Sequence, residues 1–240
     1  MSRMPSEANS FTDIVVCYTA HVDYEILIKD RGADTTVTAI HGGYIEPLTG
    51  DLAEAVAGDE HNLYQLRCLK VEEAAAMRVP TARYNEMRLA ALTKRSQAIL
   101  ALDGVPGERS IVHIGGRNAV LKACLAEALS QAGFETALPS TPGAAHDPTR
   151  YYNTARQGGV LLELTAVLRE QMAGIPIPDA MQRQPEAWNE PFFRFVDAAR
   201  SALEQYAGHL KSDPEQALRR FEQATSKIPR NMRAGHHHHE

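Results

Sequence analysis

The stretch SIVHIGGRNAVLKACLAEALSQAGFETALP, Ser110 to Pro139, constrains the fold more than any other part of the chain. Ser110 to Gly116 is a β-prone run entering a Gly-Gly turn, Asn118 to Gly133 carries apolar residues at helical spacing and stops at glycine, and Phe134 to Pro139 returns to strand. An amphipathic helix between two strands has to lay its apolar stripe on a sheet, which commits the chain to layers of helix on sheet.

The remaining segments continue the alternation. YEILIKD (Tyr24 to Asp30), TTVTAI (Thr35 to Ile40), NLYQLRCLKV (Asn62 to Val71) and GGVLLELT (Gly158 to Thr165) read as strands. DIVVCYT (Asp13 to Thr19) is β-prone, although it could also begin a helix. GDLAEAVAG reads as a short helix with Thr49 or Asp51 near its cap and Gly58 as its stop. Tyr84 to Leu102 set Leu89, Leu92, Ile99 and Leu100 at roughly helical spacing ahead of Asp103-Gly104, and AVLREQM after Thr165 can turn helical. Gly174 to Pro185 is a proline-spaced loop, and two helices close the chain, Pro191 to Leu210 and Asp213 to Lys227. The expectation is a single α/β domain over residues 1–235, with a mixed, mostly parallel central sheet flanked by helices. Such sheets bind ligands at the carboxyl ends of their strands, just beyond which His41 and Asp103-Gly104 fall.

Composition narrows the function classes. A formal net charge of -5 over 240 residues argues against non-specific nucleic-acid binding, while leaving room for a local arginine cluster that grips an acidic ligand. Cys17, Cys68 and Cys124 are odd in number and widely spaced, which fits neither a disulfide framework nor a CxxC metal site and points to a reducing, cytoplasmic setting. MSRMPSEANSF lacks the apolar core of a signal peptide, and there is no apolar run of about 18 residues, so neither Sec export nor membrane insertion is expected. His236 to His239 form a terminal run typical of an affinity tag, and residues 236–240 are set aside from fold and site.

Two places carry chemistry. In TTVTAIHGGYIEP, a run of β-formers delivers His41 into Gly42-Gly43, with Glu46 five positions after the histidine. On a helix that spacing separates the two side chains by about 140°, and on a strand it sends them to opposite faces, so only a loop lets both reach one point. The glycines permit such a wrap and Pro47 stiffens its exit. An imidazole and a carboxylate converging there suit Zn²⁺; the alternative is a plain turn in which His41 bonds the backbone. In GVLLELT, Glu163 stands between leucines on the opposite pleat, where a carboxylate is costly unless it is paired or lines a pocket. Desolvation there favours taking up a proton, which suits a general base; the alternative is a salt-bridged glutamate at the sheet edge.

AIHGGYIEPLTGDLAEAVAG, LYQL, VPTARYNE, IGGRNAVLKACLAEALSQAGFE and NTARQGGVLLELTAVLRE follow one another in the order and spacing of the poly-γ-glutamate hydrolase family, best known from bacteriophages and bacilli. The chain resembles that family from about Tyr18 to Arg169. The resemblance implies a zinc-dependent hydrolase of carboxypeptidase-like α/β fold that cuts the γ-amide bonds of poly-γ-glutamate capsules. It places the first two zinc ligands on His41 and Glu46, and the base acting on zinc-bound water on Glu163. The family's third ligand is a histidine in a Ser-Ile-His-Gly segment, and here the corresponding segment is Ala101-Leu102-Asp103-Gly104. Asp103 is the expected replacement, through oxygen; His113 is held in reserve, although it aligns with a position that is not a ligand in the family. Two carboxylates and one imidazole leave the metal less electron-poor than the usual set, so Zn²⁺ is expected with Mn²⁺ as an alternative.

Arg83 in PTARYNE, Arg117 with Asn118 in GGRN, and Arg156 in NTARQGG lie in blocks of family likeness and are the expected contacts to substrate carboxylates. The partner is then an acidic polymer or γ-glutamyl substrate rather than nucleic acid or membrane, with a monomer expected over an obligate oligomer. A phage-encoded version without a signal peptide would reach a capsule after lysis. Two other readings use the same residues: a metal-poor member that only binds an acidic ligand, and an amidase or deacylase acting on another acyl-amino acid or γ-glutamyl peptide.

Overall fold

In the computed structural model, residues 8–181 and 187–211 are described, together with Arg219 and Glu222. The helices are α1 (Phe11–Cys17), α2 (Thr49–Ala57), α3 (Met87–Arg95), α4 (Ala119–Gln131), α5 (Pro142–Ala145), α6 (Ala166–Ala173), α7 (Ile177–Ala180) and α8 (Glu190–Lys211). The strands are β1 (Tyr24–Lys29), β2 (Thr35–Gly43), β3 (Asn62–Cys68), β4 (Ala98–Val105), β5 (Val112–Gly115), β6 (Thr136–Ala137) and β7 (Gly159–Thr165). They form one seven-stranded sheet in the order β1-β3-β2-β4-β7-β5-β6. β2, β3, β4 and β7 run parallel, β1 pairs antiparallel to β3 and β5 antiparallel to β7, and β6 lies parallel to β5. This is the expected mixed, mostly parallel α/β domain.

Strand alternation sorts the core into two layers. Leu100, Leu102, Val160, Leu162 and Leu164 face the layer built by α2, α4, α6 and α8, where Leu52, Leu125, Met172 and Phe195 are buried. Ile99, Ala101 and Leu161 face the other layer, filled by Ile14 of α1, Leu89 of α3 and the tyrosines Tyr64, Tyr84, Tyr151 and Tyr152. Each fully buried large apolar side chain contributes roughly 1.5–3 kcal/mol. Asp103 and Glu163 share strand parity with the second layer, so they stand on the face covered by α1, α3, loops and short turns, near the carboxyl ends of β4 and β7.

Three local expectations change. DIVVCYT takes its helical alternative: Ser10 and Asp13 form a reciprocal capping box that starts α1. The helix expected over Tyr84 to Leu102 stops at Arg95, and Ile99 and Leu100 lie in β4. AILAL is a continuous apolar run buried on both faces of a parallel strand, which spacing alone does not separate from a helix face. The loop from Gly174 contains a helical turn, α7; its far end, and the helix expected over Asp213 to Lys227, lie outside the described residues.

Candidate metal centre

The site starts with an irregularity in β2. Its register against β3 shifts between Ala39 and Gly42: Ala39 opposes Gln65, whereas Gly42 opposes Arg67. The extra residue forms a bulge, and a bulge re-aims the side chain it carries. His41 Nε2 donates to Val79 O at 2.7 Å, which leaves Nδ1 toward Glu46 Oε1, 3.2 Å away. Gly43 has φ 64°, and a Cβ there would lie 2.2 Å from Cys68 O; a Cβ on Gly42 would meet Leu66 O at 2.6 Å. Neither position has room for a larger residue.

Beyond the glycines the chain folds back. Glu46 N donates to His41 O at 2.8 Å, Thr49 Oγ1 to Glu46 O at 2.9 Å, and buried Leu48 takes a left-handed conformation with φ 78° to begin α2. A non-glycine residue pays of order 1 kcal/mol or more for that conformation, and here it closes the turn that presents Glu46.

His41, Glu46 and Asp103 each offer a ligand atom, and those atoms lie within 4.8 Å of one another. Their charges are interdependent. Burial pulls the His41 imidazole down, but Glu46, then Asp103 and the Val79 carbonyl outweigh it and push it up to about 9. Burial pushes Glu46 up, yet His41, Arg78 and the Gly104 N–H hold it below the ordinary carboxylate range. Burial, followed by the neighbouring Glu46, pushes Asp103 up to about 7 against the pull of His41. Asp103 Oδ1 is fully buried with no hydrogen-bond partner among the described residues. An orphaned carboxylate oxygen beside an imidazole nitrogen and a second carboxylate fits a divalent cation, which would satisfy it and relieve the crowding of acids.

Glu163 stands next in line. It is the direct partner of Asp103 across β4–β7 and of His113 across β7–β5, so the three side chains form a row on one sheet face. Ser140 secures Glu163, its N–H donating to Oε1 at 2.9 Å and its hydroxyl to Oε2 at 2.7 Å. His113 is turned to Leu138 O, 2.6 Å from Nδ1, and is not one of the three clustered ligands.

Two arginines overlooked in the sequence complete the centre. Arg78 NH1 donates to Glu46 Oε2 at 2.5 Å, and its side chain stays half-exposed. Arg169 is buried under the site, donating to Leu164 O at 3.2 Å and Pro47 O at 3.3 Å while filling the space over Gly104. Gly104 N in turn donates to Glu46 Oε1 at 2.9 Å. An arginine on the apolar side of AVLREQM was the available signal for Arg169; for Arg78, in AAAMRVP, the sequence offers none.

The arginines singled out in the sequence lie elsewhere. Arg83 donates to Asn9 Oδ1 at 3.0 Å. Asn118 caps α4, accepting from Leu121 N at 3.0 Å and donating to Tyr206 OH at 2.9 Å. Because β5 runs antiparallel to β7, Arg117 emerges at the amino end of β7, where Arg156 also precedes it. Four residues of strand, about 13 Å, separate that end from Glu163.

The family model for poly-gamma-glutamate hydrolase matches residues 9–198. The UPF0714 protein YndL of Bacillus subtilis (strain 168) is 27% identical over 178 residues, covering 73% of this chain and 69% of YndL. Among solved structures, a bacteriophage poly-gamma-glutamate hydrolase superposes with a TM-score of 0.79 at 19% identity, covering 85% of this chain and 99% of the phage protein. A structure of YndL described as its zinc-free apo form gives a TM-score of 0.73 at 24% identity, covering 83% and 98%. With the family match spanning most of its length, the chain belongs to the poly-gamma-glutamate hydrolase family.

Proposed function

We propose that the protein is a metal-dependent hydrolase that cleaves γ-glutamyl amide bonds of poly-γ-glutamate, with His41, Glu46 and Asp103 holding the metal and Glu163 serving as general base. Two observations carry this reading: a ligand atom each from His41, Glu46 and Asp103 lies within 4.8 Å of the others, and the buried Asp103 Oδ1 has no hydrogen-bond partner among the described residues, one strand from Glu163. Zinc is the proposed metal, in line with the zinc-free description of the YndL structure, and the second carboxylate also suits Mn²⁺. When bound, the metal supplies Lewis acidity that polarises the scissile carbonyl and activates water.

The protein's own groups do the rest. The Val79 carbonyl accepts from His41 Nε2 and so turns Nδ1 into the cluster, where a metal would displace its proton. Ser140 orients Glu163, which takes a proton from the attacking water and returns it to the leaving amine. Arg78, half-exposed beside Glu46, is the cation nearest the donors and is suited to a substrate carboxylate or the developing oxyanion. In a Glu163→Gln protein metal content should be unchanged while kcat falls by about 10²–10⁴; a rate near wild type would remove Glu163 from the reaction.

A second reading has an observation of its own. Both Glu46 oxygens already have partners, Oε1 in His41 and Gly104 N and Oε2 in Arg78, so the centre is half-satisfied without a metal. That arrangement suits a family member that binds an acidic ligand and does not cut it. Metal content separates binder from hydrolase, and product analysis on γ- and α-linked substrates separates a poly-γ-glutamate hydrolase from an amidase of other specificity.

A further inference from the structure

Arg117 and Arg156 are exposed at the amino end of β7, the end away from the metal centre. A Cβ on Gly158 would lie 3.4 Å from Arg117 Cβ, so the stretch carrying Arg156 runs directly beside Arg117. A continuous segment leads from there to the site. At one end Ser140 holds Glu163; in the middle Ala144 O accepts from Arg150 Nε at 3.4 Å; at the other end His146 O accepts from Arg117 NH1 at 3.2 Å. Arg150 and Arg117 thus hang on the segment that leads from the base to the amino end of β7, which Arg156 precedes in the chain.

On a chain of net charge -5, Arg67, Arg88, Arg95 and Arg109 each hold a carboxylate. Among the described residues no carboxylate forms a salt bridge with Arg117, Arg150 or Arg156. Asp147 lies near Arg150, but it already accepts from Thr149 N at 2.8 Å and Thr149 Oγ1 at 2.7 Å. A guanidinium held on one side by a backbone carbonyl keeps its remaining N–H groups for a carboxylate.

We propose that Arg150, Arg117 and Arg156 form a remote subsite that grips successive free carboxylates of a long γ-linked polyanion whose scissile bond lies at Glu163. The inference rests on the substrate class proposed above and adds a requirement for length. A γ-linked glutamyl unit carries five backbone bonds against three in an α-peptide, so it spans about 6 Å when extended. The separation of about 13 Å then takes two to three units, so a dimer at Glu163 falls short of Arg117 and Arg156 and a longer chain reaches them.

The test is equilibrium binding to Glu163→Gln protein, by fluorescence anisotropy, of labelled long-chain poly-γ-glutamate and of a labelled γ-glutamyl dimer. In an Arg117→Gln/Arg156→Gln double variant on that background, the polymer dissociation constant should rise about tenfold and lose much of its salt dependence. The dimer constant should change less than about twofold. Arg156→Glu is the second variant, since the Arg156 side chain makes no hydrogen bond or ion pair among the described residues, and it should weaken polymer binding more than Arg156→Gln. Equal losses for both ligands, unchanged polymer binding, or no polymer binding at all would overturn the subsite. Turnover by wild-type protein is scored separately. A protein that grips polymer through these arginines without cutting it would sink the hydrolase reading and keep the subsite, whereas one that cuts polymer with binding unaltered in the variants would do the reverse.

Discussion

At the scale of single residues, the centre depends on the side chain at position 103. An aspartate there gives the cluster two carboxylates, and burial together with Glu46 pushes Asp103 up to about 7. An imidazole brings no added negative charge and is a softer ligand. Asp103→His should therefore tighten zinc, by about tenfold in titration calorimetry, and favour zinc over manganese. Unchanged affinity in that variant would mean that Asp103 lies outside the coordination sphere. His41, Glu46 and Glu163 were legible in the sequence because glycines or leucines flank chemistry-bearing side chains that need a stated reason to be there. Arg78 and Ser140 were not, because each reaches the site from a segment remote in sequence from its partner, and no spacing rule connects residues brought together only by the fold; Arg169 left a signal, an arginine on the apolar side of AVLREQM.

At the scale of elements, the bulge in β2 sets the geometry. Gly43 stands at φ 64° with Cys68 backbone atoms 2.2 and 2.7 Å from where a Cβ would be. Gly43→Ala must either separate β2 from β3 or flatten the bulge, and either response moves His41. The expected cost is about 2–4 kcal/mol, read as a fall in Tm of roughly 5–15 °C, together with weakened metal binding. A variant of unchanged Tm would show that the strand pair tolerates the side chain. Most strands and helices were legible from their periodicity and caps. The boundary between α3 and β4 was not, since Leu89, Leu92, Ile99 and Leu100 fit one helical stripe, and only pairing with β2 and β7 separates the last two. The antiparallel course of β5 was equally hidden, and it is what carries Arg117 away from the metal and toward Arg156.

At the scale of the whole molecule, a seven-stranded sheet is packed by α2, α4, α6 and α8 on one face and by α1, α3, short turns and tyrosines on the other, the face that carries Asp103 and Glu163. Among the described residues no helix is long and apolar enough to cross a membrane. The free cysteines report on the integrity of this packing. Burial pushes the Cys68 and Cys124 thiols up to about 11, so both stay protonated at pH 8, while Cys17 is only half-buried. Iodoacetamide at pH 8 should label native protein at Cys17 alone and all three sites after denaturation; rapid native labelling of Cys124 would mean that α4 separates readily from the core.

The central claim is that His41, Glu46 and Asp103 bind one metal ion. Its most direct test is elemental mass spectrometry on protein lacking His236 to His239, which could carry zinc themselves, after reloading in parallel with Zn²⁺ or Mn²⁺ and dialysis without chelator. The account predicts about one zinc per chain, lost in Asp103→Ala and kept in His113→Ala. Wild-type protein that retains neither zinc nor manganese, or an Asp103→Ala protein that keeps its metal, would contradict it.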